Sequence, residues 1–380
     1  MPTPPIPDDE LREVIEVWRA HDCRGDKAAA SIGMNPKTFD YRLARARAKG
    51  FHLSDGARHI VKAAKLAPVE ARGGWVHSYD DDGKKIGATR WAPPEDGAEA
   101  EAWLDKVAAA FASVPAVPPV PAPDMADADL LTIYPLADAH VGMLAYGKET
   151  GESYNTDIAA DRIRSWVARA VAASPSSAVA VILDVGDLTH ADDDTNVTPR
   201  SKHPLTVDSR HFRTLDVTIA ALSTAIECAL QKHGKVIVRI LPGNHNQTSY
   251  MAVMFALAER YRNEPRVEVQ KVPGEFFVME FGAVMLAAHH GHGAKPERMV
   301  HFLADEYAQM WGRTRHRFLW TGHLHHLKAQ DIGGVQHEQL RAITARDAYA
   351  VSQSYSARAQ LQAITLHRDR GEVQRVKVGA

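Results

Sequence analysis

At 380 residues, 45% of them hydrophobic and 24% charged, the chain has the length for one large domain with an appendage and the composition of an ordinary globular protein. Its net charge of -2 gives no overall attraction to nucleic acid, so any such affinity must come from a local patch. The first residues lack a basic start and an apolar stretch, and no uncharged run reaches membrane-spanning length, so neither a signal peptide nor a transmembrane helix is expected. The two cysteines, Cys23 and Cys228, are in no metal-binding spacing; they read as buried, inert thiols in a reducing cytoplasm.

From the N-terminus, Leu11, Val14, Ile15 and Trp18 fall at the three-and-four spacing of one helical face. A short second helix is expected over Lys27 to Ile32, ended by Gly33. Asn35 as N-cap with Pro36 at the first helical position opens a third, through Ala48. This third helix carries Lys37, Arg42 and Arg45 against a single acid, Asp40, and Arg47 and Lys49 stand at its end. Residues 1–53 therefore read as a small all-α helix-turn-helix domain, with Lys37, Thr38, Tyr41, Arg42 and Arg45 as candidate DNA contacts. A helical packing or dimerisation module is the alternative.

Residues 54–128 hold weaker signals. Asp-Asp-Asp-Gly between Trp75 and Trp91 suggests a hairpin, and the Pro, Val and Ala alternation of Ala116 to Asp124 a stiff extended linker. From Asp129 onward, short β-rich runs alternate with helical stretches. The runs are Leu130 to Leu136, Ala178 to Val185, Val236 to Leu241, Ala283 to Ala288 and Arg317 to Trp320; the helices are Thr156 to Ala173, Leu215 to Lys232 and Ser249 to Arg262. Such alternation is α/β architecture, with ligands expected beyond the carboxyl ends of the strands.

The strongest signal in the chain lies just beyond each expected strand. Asp138-Ala-His140 comes after the first, Gly186-Asp187-Leu-Thr-His190 after the second, and Gly243-Asn244-His245-Asn246 after the third. Later come His289-His290-Gly291-His292 and Gly322-His323-Leu-His325. Oxygen and imidazole donors without thiolate suit Mn, Fe, Zn or Ni rather than a structural zinc site.

In this order the motifs resemble the calcineurin-like metallophosphoesterase superfamily, whose signature runs DxH, GDxxH, GNH and then Asp or Glu, H, and GHxH. Asp138 to Gly142 and Gly186 to His190 look most like its SbcD-type branch of double-strand-break repair nucleases, and the helical head beside it gives the chain the look of a phage or prophage protein. The resemblance covers residues 129–380. It implies a four-layer α/β/β/α fold, a β-sandwich flanked by helices, and two divalent metal ions, with Mn2+ foremost and Fe, Zn or Ni as alternatives. It gives Asp138, His140, Asp187 and His325 to one ion and Asp187, Asn244, His290 and His323 to the other, with Asp187 shared. His290 is preferred to His289 because it directly precedes Gly291. His245 would stabilise developing charge or protonate the leaving oxygen, and His190 would orient substrate.

Asn246 departs from the usual carboxylate; a neutral amide can orient His245 without electrostatic support, so His245 is expected to be less basic. The polar loop from Ala191 to His211, with Arg200, Lys202 and Arg210, is a candidate contact to the substrate backbone. The function expected is two-metal hydrolysis of DNA phosphodiesters, with a cytoplasmic location, no membrane partner, a homodimer as an option and no need of an ATPase partner. A phosphatase or cyclic-nucleotide phosphodiesterase, or a DNA-binding regulator with an inactive phosphoesterase domain, are the alternatives.

Overall fold

A computed structural model describes residues 6–21, 25–48, 74–79, 85–91 and 116–379. The chain divides into two compact units, Met1–Leu104 and Asp105–Ala380.

In the first unit, three helices enclose a small core. Helix α1 (Asp8–Ala20) opens on three acids, Asp8, Asp9 and Glu10, that complement the positive end of its dipole. It buries Leu11, Val14 and Ile15 against Ala28 and Ala29 of α2 (Gly25–Ser31) and Phe39, Leu43 and Ala46 of α3 (Pro36–Ala48). Asn35 does cap α3, its Oδ1 accepting from the Lys37 backbone N–H at 3.0 Å, and Gly33 leaves α2 at a φ of 63°. Helix α2 begins and ends slightly earlier than the sequence suggests. Strands β1 (Gly74–Tyr79) and β2 (Lys85–Trp91) pair antiparallel, as expected of the hairpin; its Asp80 to Gly83 turn lies outside the described residues, as does Cys23.

The second unit holds two sheets. One runs in the order β13-β12-β3-β4-β5-β6, where β3 (Asp127–Leu136), β4 (Ser177–Asp184), β5 (Lys235–Ile240) and β6 (Val267–Val269) are parallel. Strands β12 (Gln360–His367) and β13 (Gly371–Gly379) extend it antiparallel. The other sheet runs β10-β11-β9-β8-β7, with β8 (Val284–His289), β9 (His316–Thr321) and β11 (Val335–Gln339) parallel and β7 (Phe276–Phe281) and β10 (Lys328–Ile332) antiparallel at its edges.

The two-residue period of a strand sends alternate side chains to opposite faces, and here both faces are buried. Leu131, Ile133, Val181 and Leu183 of one sheet meet Leu286, Ala288, Phe318 and Trp320 of the other in a shared apolar layer. Met285, Ala287 and Leu319 point the opposite way, against Met299, Val300 and Leu303 of α8 (Pro296–Glu306); α9 (Ala308–Arg313) comes next in the chain. Helices α5 (Thr156–Ala173), α6 (His211–Leu230) and α7 (Ser249–Arg260) cover the outer face of the first sheet. The result is the four-layer α/β/β/α sandwich that the resemblance implies. Two short helices, α4 (Gly147–Thr150) and α10 (Ala348–Ser352), stand on the connecting loops.

Helix α5 has the bounds the sequence suggests, capped by Asn155, whose side chain accepts from the Ile158 N–H. The five expected strands all exist, but they belong to two sheets, three in one and two in the other. The Pro-rich run expected as a linker is fastened to the large unit: Val117 N–H donates to the Arg260 carbonyl at 2.8 Å, and Arg266 donates to Val120 and Pro121. Cys228, expected to be buried, is half-buried on α6, and burial pushes its thiol upward. Among the described residues no helix is long and apolar enough to cross a membrane.

Trp320 is fully buried between the sheets. Trp320→Ala should destabilise the protein by about 3–5 kcal/mol, read as a lower denaturation midpoint; a loss below about 1 kcal/mol would contradict this packing.

Candidate metal centre

Five strands deliver polar side chains to one edge of the sandwich. Beyond β3 stand Asp138 and His140, beyond β4 Asp187 and His190, beyond β5 Asn244 and His245, beyond β8 His290, and beyond β9 His323 and His325. The loops are stitched together by main-chain bonds. His140 N–H donates to the Asp187 carbonyl at 2.9 Å, Gly322 N–H to the His290 carbonyl at 2.9 Å, and His323 N–H to the Asp138 carboxylate at 3.0 Å.

Asp138, His140, Asp187, His323 and His325 all have left-handed backbones, with φ of 50°, 44°, 56°, 72° and 60°. Non-glycine residues adopt this conformation at a cost of roughly 1–3 kcal/mol each, and such strain concentrates where side chains must be aimed. Close approach explains one glycine in particular: a Cβ on Gly243 would stand 2.0 Å from Asp187 Oδ1.

The donor atoms fall into three groups, each within 4.8 Å: Asp138, His140 and His325 form one and Asp187, His290 and His323 another, while a third, all imidazole, joins His190 and His245 to the shared His140. Asp187 reaches both of the first two: its Oδ2 lies 3.1 Å from His290 Nε2 and 3.9 Å from His140 Nε2. Asn244 Oδ1 is 3.0 Å from His290 Nε2, and His325 Nε2 is 3.4 Å from Asp138 Oδ1 and 3.2 Å from His140 Nε2. All seven expected ligands thus converge. His289 does not: its Nε2 faces Glu275 Oε2 at 3.1 Å and its Nδ1 accepts from the Gly291 N–H. His290 Nδ1 meets the Val185 carbonyl at 2.9 Å and must donate to it, so Nε2 is the nitrogen that faces Asp187 and, once its proton leaves, can offer a lone pair to a cation. A carbonyl-oriented imidazole is the usual outer support of a metal-binding histidine. Nitrogen and oxygen donors in two groups, joined by one carboxylate, fit a pair of small divalent cations.

Electrostatics agree with that fit. Burial alone would raise the Asp187 carboxyl, but the His290 and His245 imidazoles outweigh it and hold it well below its usual range. Burial opposes the charge on His290, yet Asp187 pulls its pKa up to about 9. His325 is likewise raised by Asp138 against burial, while burial and neighbouring histidines lower His140 and His323. Asp184, fully buried below the site, is raised well above the carboxylate range by desolvation, and its Oδ2 has no hydrogen-bond partner among the described residues. Sequence reading missed it, because an Asp inside a strand carries no motif.

His245 and His190 take places the motifs alone do not give. His245 N–H donates to Asp187 Oδ1 at 2.8 Å, and its Nδ1 donates to the His190 carbonyl at 2.8 Å. Asn246 therefore does not orient His245. It is fully buried, and its Oδ1 accepts instead from the Gly243 and Asp187 backbone N–H groups at 2.9 and 3.2 Å. The expectation that Asn246 sets the basicity of His245 loses its premise, since a main-chain carbonyl, invisible to motif reading, holds that ring. His190 is 4% exposed, with Nδ1 3.2 Å from His140 Nδ1 and its ring stacked on His245 at 5.1 Å. Burial drives its pKa to about 3. It is enclosed and touches two other histidines, His140 and His245.

In the 191–211 loop, Asp192 accepts from the Thr248 and Ser249 N–H groups, whereas Arg200, Lys202 and Arg210 are exposed. The candidate DNA contacts lie on α3 of the other unit. Lys37, Thr38, Tyr41 and Arg45 are exposed, with the Arg45 guanidinium 5.5 Å from the Tyr41 ring centroid. Arg42 departs from the expectation: it donates to Glu10 at 2.8 Å and ties α3 to α1.

No protein-family model matches the chain, and no curated protein matches it. Solved structures similar to it include a predicted phosphoesterase from Streptococcus pneumoniae, 14% identical over 66% of this chain and 98% of that one, with a TM-score of 0.28. An archaeal phosphodiesterase is 11% identical over 65% and 99%, with a TM-score of 0.33. Vps29 of Entamoeba histolytica in complex with zinc is 12% identical over 65% and 98%, with a TM-score of 0.27.

Asn246→Ala strands two buried N–H groups, so unfolding should show a loss of about 2–4 kcal/mol, against far less for Asn246→Asp, which keeps the acceptor. The Asp187 contribution to stability is present above the ordinary carboxylate pKa and is lost as pH falls through its depressed value. The His290 contribution is full below its ordinary value of 6.5 and is lost as pH rises through about 9. At neutral pH, cation binding must therefore expel the His290 proton, and titration calorimetry in buffers of different ionisation enthalpy should count close to one proton released. No release would contradict the ligand assignment.

Proposed function

We propose that the chain is a two-metal phosphodiester hydrolase acting on DNA. The observation that carries the hydrolytic part is the Asp187 carboxylate set between two groups of nitrogen and oxygen donors. Asp138, His140, Asp187 and His325 would hold one ion and Asp187, Asn244, His290 and His323 the other; the mixture of imidazole and oxygen donors suits Mn2+, Fe, Zn or Ni. When bound, such a pair polarises phosphoryl oxygens and ionises a water at neutral pH.

The chain's own groups do the rest. Because His245 Nδ1 donates to the His190 carbonyl, its proton exchange takes place at Nε2. The protonated ring stabilises charge growing on the phosphoryl group and gives that proton to the departing oxygen. His190 keeps the His140 and His245 rings in register.

DNA as substrate is supported by the exposed Lys37, Thr38, Tyr41 and Arg45 on the helix after the turn, in the arrangement by which such helices meet a groove and its phosphates. The complete donor set speaks against an inactive domain serving a DNA-binding regulator.

Purified full-length protein with Mn2+ should cleave labelled DNA and bis(4-nitrophenyl) phosphate, and hold two ions by elemental analysis. His245→Ala should lower kcat by about 10²–10⁴ with metal content unchanged. Turnover confined to a phosphomonoester or a cyclic nucleotide would replace the nuclease reading with the phosphatase or cyclic phosphodiesterase one, and fewer than two bound ions would remove hydrolysis altogether.

A further inference from the structure

Among the described residues of the large unit, five aromatic side chains are exposed, and four of them stand on three segments, loops with the helix turns that continue them, hydrogen-bonded to the loops of the donor cluster. They are Tyr146 (60%), Phe212 (79%), Tyr349 (66%) and Tyr355 (57%); the fifth, Phe302, is on α8. A single exposed tyrosine is ordinary, because much of any protein surface is apolar. Four gathered on one set of interlocked loops call for a common cause.

The interlocking is explicit. The loop that carries Tyr146 leaves the ligand motif directly: Asp208 N–H donates to the Gly142 carbonyl and Leu144 N–H to the Thr206 carbonyl. The first turn of α6, which bears Phe212, packs so tightly there that a Cβ on Gly142 would stand 2.8 Å from Thr214 Oγ1. The loop with Tyr349 and Tyr355 begins at Thr344, whose N–H donates to the carbonyl of the ligand Asp138. Arg346 then bonds the Thr150 and Tyr355 carbonyls and so joins the first loop to the third. Between two ligands, Leu324 is 56% exposed and adds an apolar surface at the centre itself.

Charged groups stand on the same loops. Four carboxylates are engaged in structure: Asp192 caps α7, Asp208 accepts from Thr156, Asp347 caps α10 and Glu152 pairs with Arg162, whereas Glu149, Asp193 and Asp194 are exposed, with Asp194 3.8 Å from Arg210. Lys148, Arg200, Lys202, Arg210 and Arg358 are exposed. Phe212 sits between Arg210 and Arg213 in a shallow depression that the three of them line.

Flat π-faces interleaved with cations are the surface that binds an unpaired nucleic-acid strand, with bases stacked on the rings and phosphates near the cations. A duplex hides its base faces within its own stack and cannot use such rings. We infer that these loops bind single-stranded DNA and lead its backbone to the metal centre, which deepens the nuclease reading and rests on it for the choice of DNA. The substrate class at the centre is then an unpaired strand or a frayed end.

The test compares metal-free full-length protein binding a labelled oligo-dT, an abasic deoxyribose-phosphate strand of equal length and a duplex, by anisotropy at fixed salt. Oligo-dT should bind about tenfold or more tighter than the abasic strand, and the triple variant Phe212→Ala/Tyr349→Ala/Tyr355→Ala should abolish that difference. Because all three side chains are exposed, the variant's fold can be verified by an unchanged unfolding midpoint. Equal wild-type affinity for dT and abasic strands, or an equal loss on dT and duplex in the variant, would overturn the inference. Hydrolysis of bis(4-nitrophenyl) phosphate by the Mn2+-loaded wild type reports on the phosphodiesterase reading separately, since that substrate has no bases to stack.

Discussion

The Asp187 carboxylate is the constraint around which the large unit is organised. It is buried, it accepts the His245 N–H, it faces His290, and it stands within 3.9 Å of His140. A charge so placed is costly unless it is matched on every side, and the matching groups come from separate loops. The glycine at 243 exists because the carboxylate occupies the space a side chain there would need. Asn246 is buried because the turn that brings Asn244 and His245 to Asp187 needs its two inward N–H groups satisfied.

The sandwich serves that constraint. Parallel strands end on the same side, so two sheets packed face to face present five strand ends along one edge. Left-handed residues beyond the ends of β3, β4 and β9 then turn their side chains inward. The burial of Leu131, Ile133, Leu286 and Trp320 between the sheets supplies the rigidity against which five strained residues can be held. Helices α5, α6 and α7 and the α8–α9 pair close the outer faces, leaving the ligand edge to the loops.

Those loops divide their polar groups by task. Asp192, Asp208 and Asp347 serve as caps and hydrogen-bond acceptors, whereas four aromatic rings and several charged side chains are exposed. The inner side of the edge is thus fixed by a buried electrostatic network and the outer side is left free to meet a ligand. An imidazole pair illustrates the boundary: His190 is enclosed against His140, while His245 is half-buried, with Nδ1 committed to a carbonyl.

Much of this was legible in the residues. Strand runs and helix caps obey local rules, so α3 and α5 have the bounds that Asn35, Pro36 and Asn155 announce. The ligand types and their order along the chain are also local, each being a short motif after an apolar run. Three decisions are not local. Which strands share a sheet depends on pairing across hundreds of residues, and the polar alternation of β12 and β13 gave no hint that β12 pairs with β3 and β13 with β12. Whether His289 or His290 faces Asp187 depends on which side of β8 the last residues project, and that is set by packing between the sheets. The orientation of His245 comes from a main-chain carbonyl, and Arg42 turns to Glu10 across a helix pair. Sequence by itself determined the donors and their order; only the tertiary structure decided their partners, because backbone groups and through-space charges leave no letter in a motif.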